Sequence, residues 1–190
     1  MPNTSATGGY LLPTTGPLDA QLLKRFFHDV IVGVTGFNSQ LVRPSYQPNP
    51  PTIPDLTVDW CAFYISLKAS DNFPWYVQGD SSGQLFANEN VNLQTSFYGP
   101  NCISNATILR DGLQICQNTD AMAAVNIGYI GCSDMTYLPE LINDKWYERA
   151  DITVNLNRRV GRTYPILKIL SIEGTIEADI YGGEEINFNS

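Results

Sequence analysis

The stretch that decides the fold is residues 145–160, which read KWYERADITVNLNRRV. Its apolar positions are Ala150, Ile152, Val154 and Leu156, and they alternate with Arg149, Asp151, Thr153, Asn155 and Asn157. Successive side chains of a strand point to opposite faces of a sheet, so a period of two predicts a long strand with one apolar and one polar face. Such strands are typical of an antiparallel sheet that is covered on one side only.

Two further segments show the same alternation. In residues 60–67 the apolar positions are Cys61, Phe63, Ile65 and Leu67, and in residues 85–98 they are Val91, Leu93 and Phe97. Residues 166–180 predict one or two more strands. The segment from Gly79 to Gly83 lacks the lysine and the helix of a phosphate-binding loop, so it is interpreted as the tip of a hairpin.

Helices are predicted between these strands. From Pro17, apolar residues recur at steps of three and four as far as the glycines at 33 and 36. Residues 100–118 predict a second helix, and residues 119–126 a shorter helical turn. The inward positions of the second helix are expected to be Ile103, Ala106, Leu109, Leu113 and Cys116. The fold class is therefore α+β, a single domain with a mostly antiparallel or mixed twisted sheet and helices packed on one face.

Three segments fall outside this pattern. Residues 1–16 are rich in Thr, Ser, Gly and Pro and predict a flexible N-terminal arm, the domain covers residues 17–181, and residues 182–190 form an acidic, polar tail. Residues 43–55, here called the strap, contain Pro44, Pro48, Pro50, Pro51 and Pro54. Proline fixes φ and removes amide donors, so the strap is expected to be extended and stiff rather than a core strand.

Composition limits the classes of function. The 190 residues are 43% hydrophobic and 16% charged, which suits one globular core. A net charge of −8 argues against sequence-independent DNA binding, because such binding depends on lysine and arginine side chains that neutralise phosphates. The four cysteines have no metal-site spacing, so we expect reduced, mostly buried thiols and no metal. No secretion signal and no run of about 18 apolar residues is found, and we expect an unexported chain with no membrane partner.

The sequence predicts no catalytic site and no cofactor. His28 is the only histidine and lies beside an apolar helical stripe, where a partly buried structural histidine is the ordinary interpretation. Asp144, Glu148 and Asp151 are close in sequence but do not all share a strand face. The aromatic residues near Trp75 and Tyr76 favour packing or a protein interface over a ligand cleft.

Charge is unevenly placed near the C-terminus. Six of the eleven basic residues lie within 24 positions: Lys145, Arg149, Arg158, Arg159, Arg162 and Lys168. Five acidic residues and no basic residue follow: Glu173, Glu177, Asp179, Glu184 and Glu185. Two interpretations stay open. These charges are solvated or paired within the chain, or the basic strand of one subunit meets the acidic tail of its neighbour.

Short motifs occur in a fixed order along residues 17–176. They are RP at 43–44, QPNPP at 47–51, DWCAF at 59–63, SFYGPN at 96–101, LRDGLQ at 109–114, QN at 117–118, PEL at 139–141, Trp146, Arg149, DITV at 151–154, Arg162 and YPIL at 164–167. Through them the chain resembles a family of tail-terminator-like phage neck proteins, found chiefly in contractile-tailed phages and prophages.

The resemblance implies a structural virion protein at the head–tail junction, assembled in the host cytoplasm. It implies a homo-oligomeric ring, a hexamer, that caps the tail tube and joins it to the head–tail connector or stopper protein. The tail sheath is a further candidate partner, and genomic DNA would only pass through the lumen. The alternatives are another neck, collar or head-completion (stopper) protein, and, from a different class, an enzyme or ligand-binding module with an aromatic cleft.

The residues expected at interfaces come from two regions. They are Arg43, Pro48, Pro50 and Pro51 of the strap, and Arg158, Arg159, Arg162, Glu184 and Glu185 near the C-terminus. For the strap two interpretations have equal weight, a preformed contact with a neighbouring subunit and a crossover within the chain from the first helix to the strand at Trp60.

Overall fold

The computed structural model describes residues 3–70, 73–167, 173–177 and 185–189, the last two segments as backbone strands. In these residues the helices are α1 (Ala20–Thr35), α2 (Cys102–Gly112) and α3 (Cys116–Ala123). The strands are β1 (Val42–Pro44), β2 (Trp60–Ala69), β3 (Trp75–Gln78), β4 (Gly83–Tyr98), β5 (Ile127–Cys132), β6 (Thr136–Tyr137), β7 (Glu140–Ile142), β8 (Lys145–Tyr147), β9 (Arg149–Tyr164), β10 (Glu173–Glu177) and β11 (Glu185–Asn189).

Seven of the described strands form one mixed sheet. Its main path runs β1-β2-β4-β9-β5, with β3 paired to β4 and β6 paired to β9. Strands β2 and β4 are antiparallel, as are β5 and β9, whereas β1 is parallel to β2. Two small antiparallel sheets, β7-β8 and β10-β11, complete the described part. This confirms the predicted class, a single α+β domain with a mixed, mainly antiparallel sheet.

The chain contains two compact units, described separately. The larger comprises Gly16–Trp75 and Phe86–Gly161, and the smaller comprises Met1–Thr15, Tyr76–Leu85 and Arg162–Ser190. The core of the larger unit joins one face of the sheet to the helices. Its fully buried large side chains include Phe27 and Ile31 of α1, Phe63 of β2, Leu93 and Phe97 of β4, Leu109 of α2, and Val154 and Leu156 of β9.

Helix α1 shows how local sequence sets an element. Asp19 caps its start by accepting hydrogen bonds from the amides of Gln21 and Leu22, so the helix begins at Ala20 rather than at Pro17 as predicted. Gly36 ends it in the left-handed conformation with φ of 73°. Leu23 and the core residues of α1 recur at steps of four, which places them on one face.

The second predicted helix is divided. Helix α2 stops at Gly112 and α3 starts at Cys116, where residues 100–118 predicted one helix. Ala106, Leu109 and Leu113 are buried as expected, whereas Ile103 and Cys116 are exposed. The break at 113–115 changes the rotation of the following turn, so a helical period counted through it assigns Cys116 to the wrong face.

The long strand predicted over residues 145–160 is also divided. Residues Asn143 and Asp144 adopt positive φ and turn β7 back into β8, and β9 begins only at Arg149. The expectation of one uncovered face fails at this end of the sheet. There a second cluster of buried side chains, Trp60, Tyr98 and Tyr147, lies opposite the main core.

The smaller unit contains the N-terminal residues and the ends of the long strands. The amide of Thr14 donates to the carbonyl of Thr163 at 2.8 Å, and the amide of Ser5 donates to that of Pro165 at 3.2 Å. The predicted hairpin at 79–83 is present, with the Gly79 amide bonded to the Ser82 carbonyl between the paired strands β3 and β4. Strand β11 occupies residues 185–189, where the sequence predicted a polar tail.

Gly99 provides a test of this packing. It has φ of 104°, and an added Cβ would lie 2.6 Å from Asp59 Oδ1 and 2.8 Å from the Val58 carbonyl oxygen. We expect Gly99→Ala to lower the free energy of unfolding by about 2 kcal/mol or more, measured by chemical denaturation. Gly33→Ala on α1 is the control, because nothing lies within 4 Å there and alanine favours helix. Equal stability of both variants would contradict this packing.

Candidate assembly surface

The polar face of the sheet carries an aromatic stack at the end where β2, β4 and the β7-β8 hairpin meet. The rings of Trp60 and Tyr98 are parallel within 6° with centroids 4.1 Å apart. These two residues lie directly opposite each other on β2 and β4, and Tyr147 packs with them. Cross-strand aromatic pairs of this kind add to sheet stability beyond the area they bury.

A network of charges borders the stack. Arg149 donates two hydrogen bonds to Asp151, at 2.7 and 2.8 Å, and one to Glu140 at 2.8 Å. Its guanidinium carbon lies 5.6 Å from the centre of the Tyr98 ring, and the Tyr98 hydroxyl donates to Glu140 at 2.8 Å. One arginine therefore joins two carboxylates from different strands across an aromatic face.

The pKa values of both Tyr98 and Arg149 in this network are raised. Burial, and next the hydrogen bond to Glu140, raise the pKa of Tyr98 well above its usual value, although the charge of Arg149 lowers it. Desolvation lowers the pKa of Arg149, but its bonds to Asp151 and Glu140 and the nearby charges outweigh it and raise the net value. Tyr98 stays a donor and Arg149 a cation at neutral pH, which describes a structural network rather than a proton-transfer site.

The strap is fixed to this face at both ends. Arg43 donates to the carbonyl oxygens of Gln40 and Thr52 at 2.9 and 2.8 Å, and the Tyr147 hydroxyl donates to the Pro54 carbonyl at 3.1 Å. Pro44 lies in strand β1 on the sheet edge, so the strap begins as a short edge strand and not as a core strand. Both ends of the strap thus make contacts within the chain, as expected of a crossover from the first helix to the strand at Trp60.

The middle of the strap remains available to a partner. Pro48, Pro50 and Pro51 are all exposed. Pro50 and Pro51 line a groove of about 360 Å³ whose floor includes Trp60, Tyr98 and Arg149. A contact of the strap with a neighbouring subunit stays a prediction for these three prolines.

The two adjacent arginines of β9 have different surroundings. Arg158 is 8% exposed and pairs with Glu89 at 2.8 Å, so its charge is neutralised inside the unit. Arg159 is exposed and lies over aromatic rings. Arg162 is half-buried in the smaller unit. Glu184 lies outside the described residues, and Glu185 is described only by its backbone in β11, so the predicted acidic contact stays a prediction.

An exposed apolar hairpin was not found from the sequence. Trp146 is 67% exposed on β8, and Leu141, which is directly opposite it on β7, is 54% exposed. Leu138, just before this hairpin, is 55% exposed. Large apolar side chains grouped on a defined turn are typical of protein-binding surfaces. The signal available in the sequence was the Asn143-Asp144 turn between two short apolar runs.

His28 has a serine and an aspartate beside it. Its Nδ1 lies 2.8 Å from Asp29 Oδ1, and its Nε2 lies 3.0 Å from the Ser39 carbonyl oxygen. The Ser39 hydroxyl is 3.4 Å from the same Nε2, too long for an activated nucleophile while the carbonyl competes for that nitrogen. The neighbouring Gln40 amide already donates to Asn38, so no pair of free amides stabilises an oxyanion there.

Thiol and metal chemistry find little support in the described residues. Cys61 and Cys102 are buried, and burial raises the pKa of both thiols. Within residues 3–70, 73–167, 173–177 and 185–189, no three His, Cys, Asp or Glu side chains are grouped so as to hold a metal ion. No helix in this part of the chain is long and apolar enough to cross a membrane.

Comparison with known proteins decides the family. The model of the family described as phage neck terminator protein matches residues 21–180. The chain belongs to this family. The match covers most of the chain, including nearly all of the larger unit and part of the smaller one, and no curated protein matches. This phage neck terminator is therefore a structural protein of the phage neck and a component of the virion. Such a protein contacts other head or tail proteins.

A structural role for His28 predicts a mild phenotype. In the neck terminator, His28→Gln keeps a donor that can reach the Ser39 carbonyl, so we expect the free energy of unfolding to change by about 1 kcal/mol or less. Phage assembly, scored by plaque titre and electron microscopy, should be largely intact. A folded His28→Gln variant that abolishes assembly would contradict a structural role.

Proposed function

We propose that this neck terminator is the tail terminator itself, a ring of six copies that caps the completed tail tube. In this proposal it joins the tube to the head–tail connector or stopper protein, with the tail sheath as a further candidate partner. Growth of a tube needs an open surface that repeats on every new ring. A terminator must bind that surface on one side and present a different surface on the other.

The observation that carries the proposal is that both edges of the sheet's main path are blunted. At one edge β1 has only three residues and ends at Pro44, which has no amide to donate. At the other edge β5 shifts register against β9 between Tyr129 and Gly131, the mark of a β-bulge. Blunted edges do not template a further strand, which suits a subunit that stops an assembly.

The exposed surfaces supply contacts in place of those edges. Trp146 and Leu141 form an exposed apolar patch on the β7-β8 hairpin, and Pro50 and Pro51 of the strap line the groove at Trp60. Prolines keep the strap extended before it binds, so a partner loses little conformational entropy in ordering it. These features support docking to neighbouring subunits and to the tube.

The overall charge agrees with a passage for DNA. The chain has a net charge of −8, and four of its arginines, Arg43, Arg110, Arg149 and Arg158, bond within the chain. An acidic lumen repels phosphates, so the genome would slide through without being held. In this proposal DNA passes through the ring and is not bound as a ligand.

Mass measurement tests the ring. We expect the purified protein to form a closed oligomer with a mass near six chains, by light scattering and native mass spectrometry. Raising salt from roughly 0.05 M to roughly 1 M should weaken assembly by about tenfold, because ionic contacts between subunits are screened. A protein that stays monomeric at high concentration and in purified particles would refute the ring.

The strap gives a test of capping. Replacing Pro48, Pro50 and Pro51 together with Ser removes the stiffness of exposed positions without removing the anchoring bonds of Arg43 and Tyr147. We expect a thermal midpoint within about 3 °C of wild type, with defective rings, tails of irregular length or heads without tails.

The matched control is Pro13→Ser, a single exposed proline outside both the strap and the β7-β8 hairpin. Normal capping by the triple variant, or its unfolding as a monomer, would show that the strap is not an intersubunit contact.

A further inference from the structure

One arginine of the larger unit is fixed in position but has no described carboxylate partner. Arg159 lies on β9, and its guanidinium carbon is 4.8 Å from the centre of the Trp75 ring and 4.5 Å from that of Phe86. The ion pairs formed by described side chains do not include Arg159. Aromatic faces hold a guanidinium without neutralising it and leave its donors free. Arg159 can therefore bind an anion with little further loss of side-chain entropy.

Arg159 lines a cleft of about 420 Å³ in the larger unit. The other walls include Leu18 and Val125, and none of the described residues that line the cleft is acidic. Arg158 also lines it, but Glu89 neutralises that arginine. A ligand that fits this cleft carries a carboxylate beside a large apolar group, because burying an acid alone against apolar walls is costly.

The tip of the β7-β8 hairpin has this combination. Leu141 and Trp146 lie directly opposite each other in the register, so they share one face, and both are exposed. Asp144 is a turn residue two positions before Trp146, and its side chain is exposed. The next register pair, Ile142 and Lys145, belongs to the other face of the hairpin. The tip therefore offers a carboxylate and an indole, with the lysine on the face opposite the indole.

The hairpin and the cleft lie at opposite ends of β9. Arg149 and Arg159 are separated by about 33 Å, at roughly 3.3 Å per strand residue. Residues 140–151 have a net charge of −2, from Glu140, Asp144, Glu148 and Asp151 against Lys145 and Arg149. Residues 152–161 have two arginines and no acid, and one of these arginines is neutralised. Like ends of two copies therefore repel each other, whereas unlike ends attract.

We infer that the Arg159 cleft of one subunit binds the β7-β8 hairpin tip of the next subunit. This rests on the proposed ring. The guanidinium of Arg159 donates to the carboxylate of Asp144, and the indole of Trp146 packs against the apolar walls of the cleft. The two surfaces are different, so the contact is head-to-tail, the type that closes into rings when the rotation allows. Each copy supplies one cleft and one hairpin.

Removal of one charge tests the hairpin side. Asparagine tolerates the positive φ of 61° at position 144, so Asp144→Asn keeps the turn. We expect it to weaken assembly roughly tenfold in concentration-dependent light scattering. The matched control is Asp134→Asn, an exposed position outside the hairpin, which should assemble at least as well as wild type. Removing an acid lowers general repulsion between copies, so weaker assembly of Asp144→Asn alone identifies a specific contact.

Truncation of the indole tests the apolar part of the contact. Trp146 is 67% exposed, so Trp146→Ala should leave the thermal midpoint of the monomer within about 3 °C of wild type. We expect assembly to weaken roughly 30-fold, as for an aromatic side chain at the centre of an interface. The matched control is Ile108→Ala, an exposed apolar position on α2, which should assemble normally.

Mixing two charge-reversed proteins identifies the contact as intermolecular. Arg159→Glu and Asp144→Lys should each assemble roughly 100-fold more weakly than wild type, because like charges then meet at every contact. In an equimolar mixture each cleft finds a hairpin of opposite charge in the other protein. We expect assembly to return to within about threefold of wild type, with the two chains alternating in native mass spectra.

Several outcomes would overturn the inference. Normal assembly of Asp144→Asn and Trp146→Ala, or no recovery on mixing, would exclude this contact and leave the ring intact. A wild-type protein that never assembles would refute the ring and this contact together. If either charge-reversed protein unfolds in a thermal melt, Arg159→Gln and Asp144→Asn carry the test, and normal assembly of both would exclude the contact.

Discussion

The burial of one face of β9 is the constraint on which the rest of the structure depends. Ala150, Ile152, Val154 and Leu156 are almost fully buried, and β9 lies between β4 and β5 in the sheet. Because side chains alternate along a strand, fixing these residues inward also fixes what the opposite face presents. Arg149 and Asp151 fall on that face, where they form the network beside Tyr98. A slip of one residue would bury these charges and expose the core.

Much of the fold could be predicted from the sequence because its periods are clear. The three long strands, helix α1 and the helical region after Gly99 all follow from apolar spacing. The breaks at Glu148 and at 113–115 were missed, and at Glu148 the reason is a tertiary contact that outweighs the local pattern. The Gly99 amide donates to the Glu148 carbonyl, which joins β4 to the start of β9, and no local period records such a bond.

The candidate site was predicted less well, and Arg158 and Arg159 show why. Charge counting treats the two arginines alike, yet Arg158 shares the parity of Leu156 and is buried with Glu89, whereas Arg159 has the opposite parity and is exposed. The alternation of the sequence already distinguishes Arg158 from Arg159. It does not predict where Glu89 and the Trp75 and Phe86 rings lie, since their positions depend on the packing of distant strands.

Pairing three of the seven arginines with carboxylates in the described residues has a consequence for assembly. A subunit with a net charge of −8 is repelled by its copies at long range, so non-specific association is suppressed. Attraction then depends on the few places where a cation is free and fixed. An exposed ion pair contributes little affinity, but one whose guanidinium is held against aromatic rings loses less entropy and demands a defined approach. Such a contact fixes the relative orientation of two subunits more than it raises their affinity. A closed ring requires a fixed orientation between neighbouring subunits.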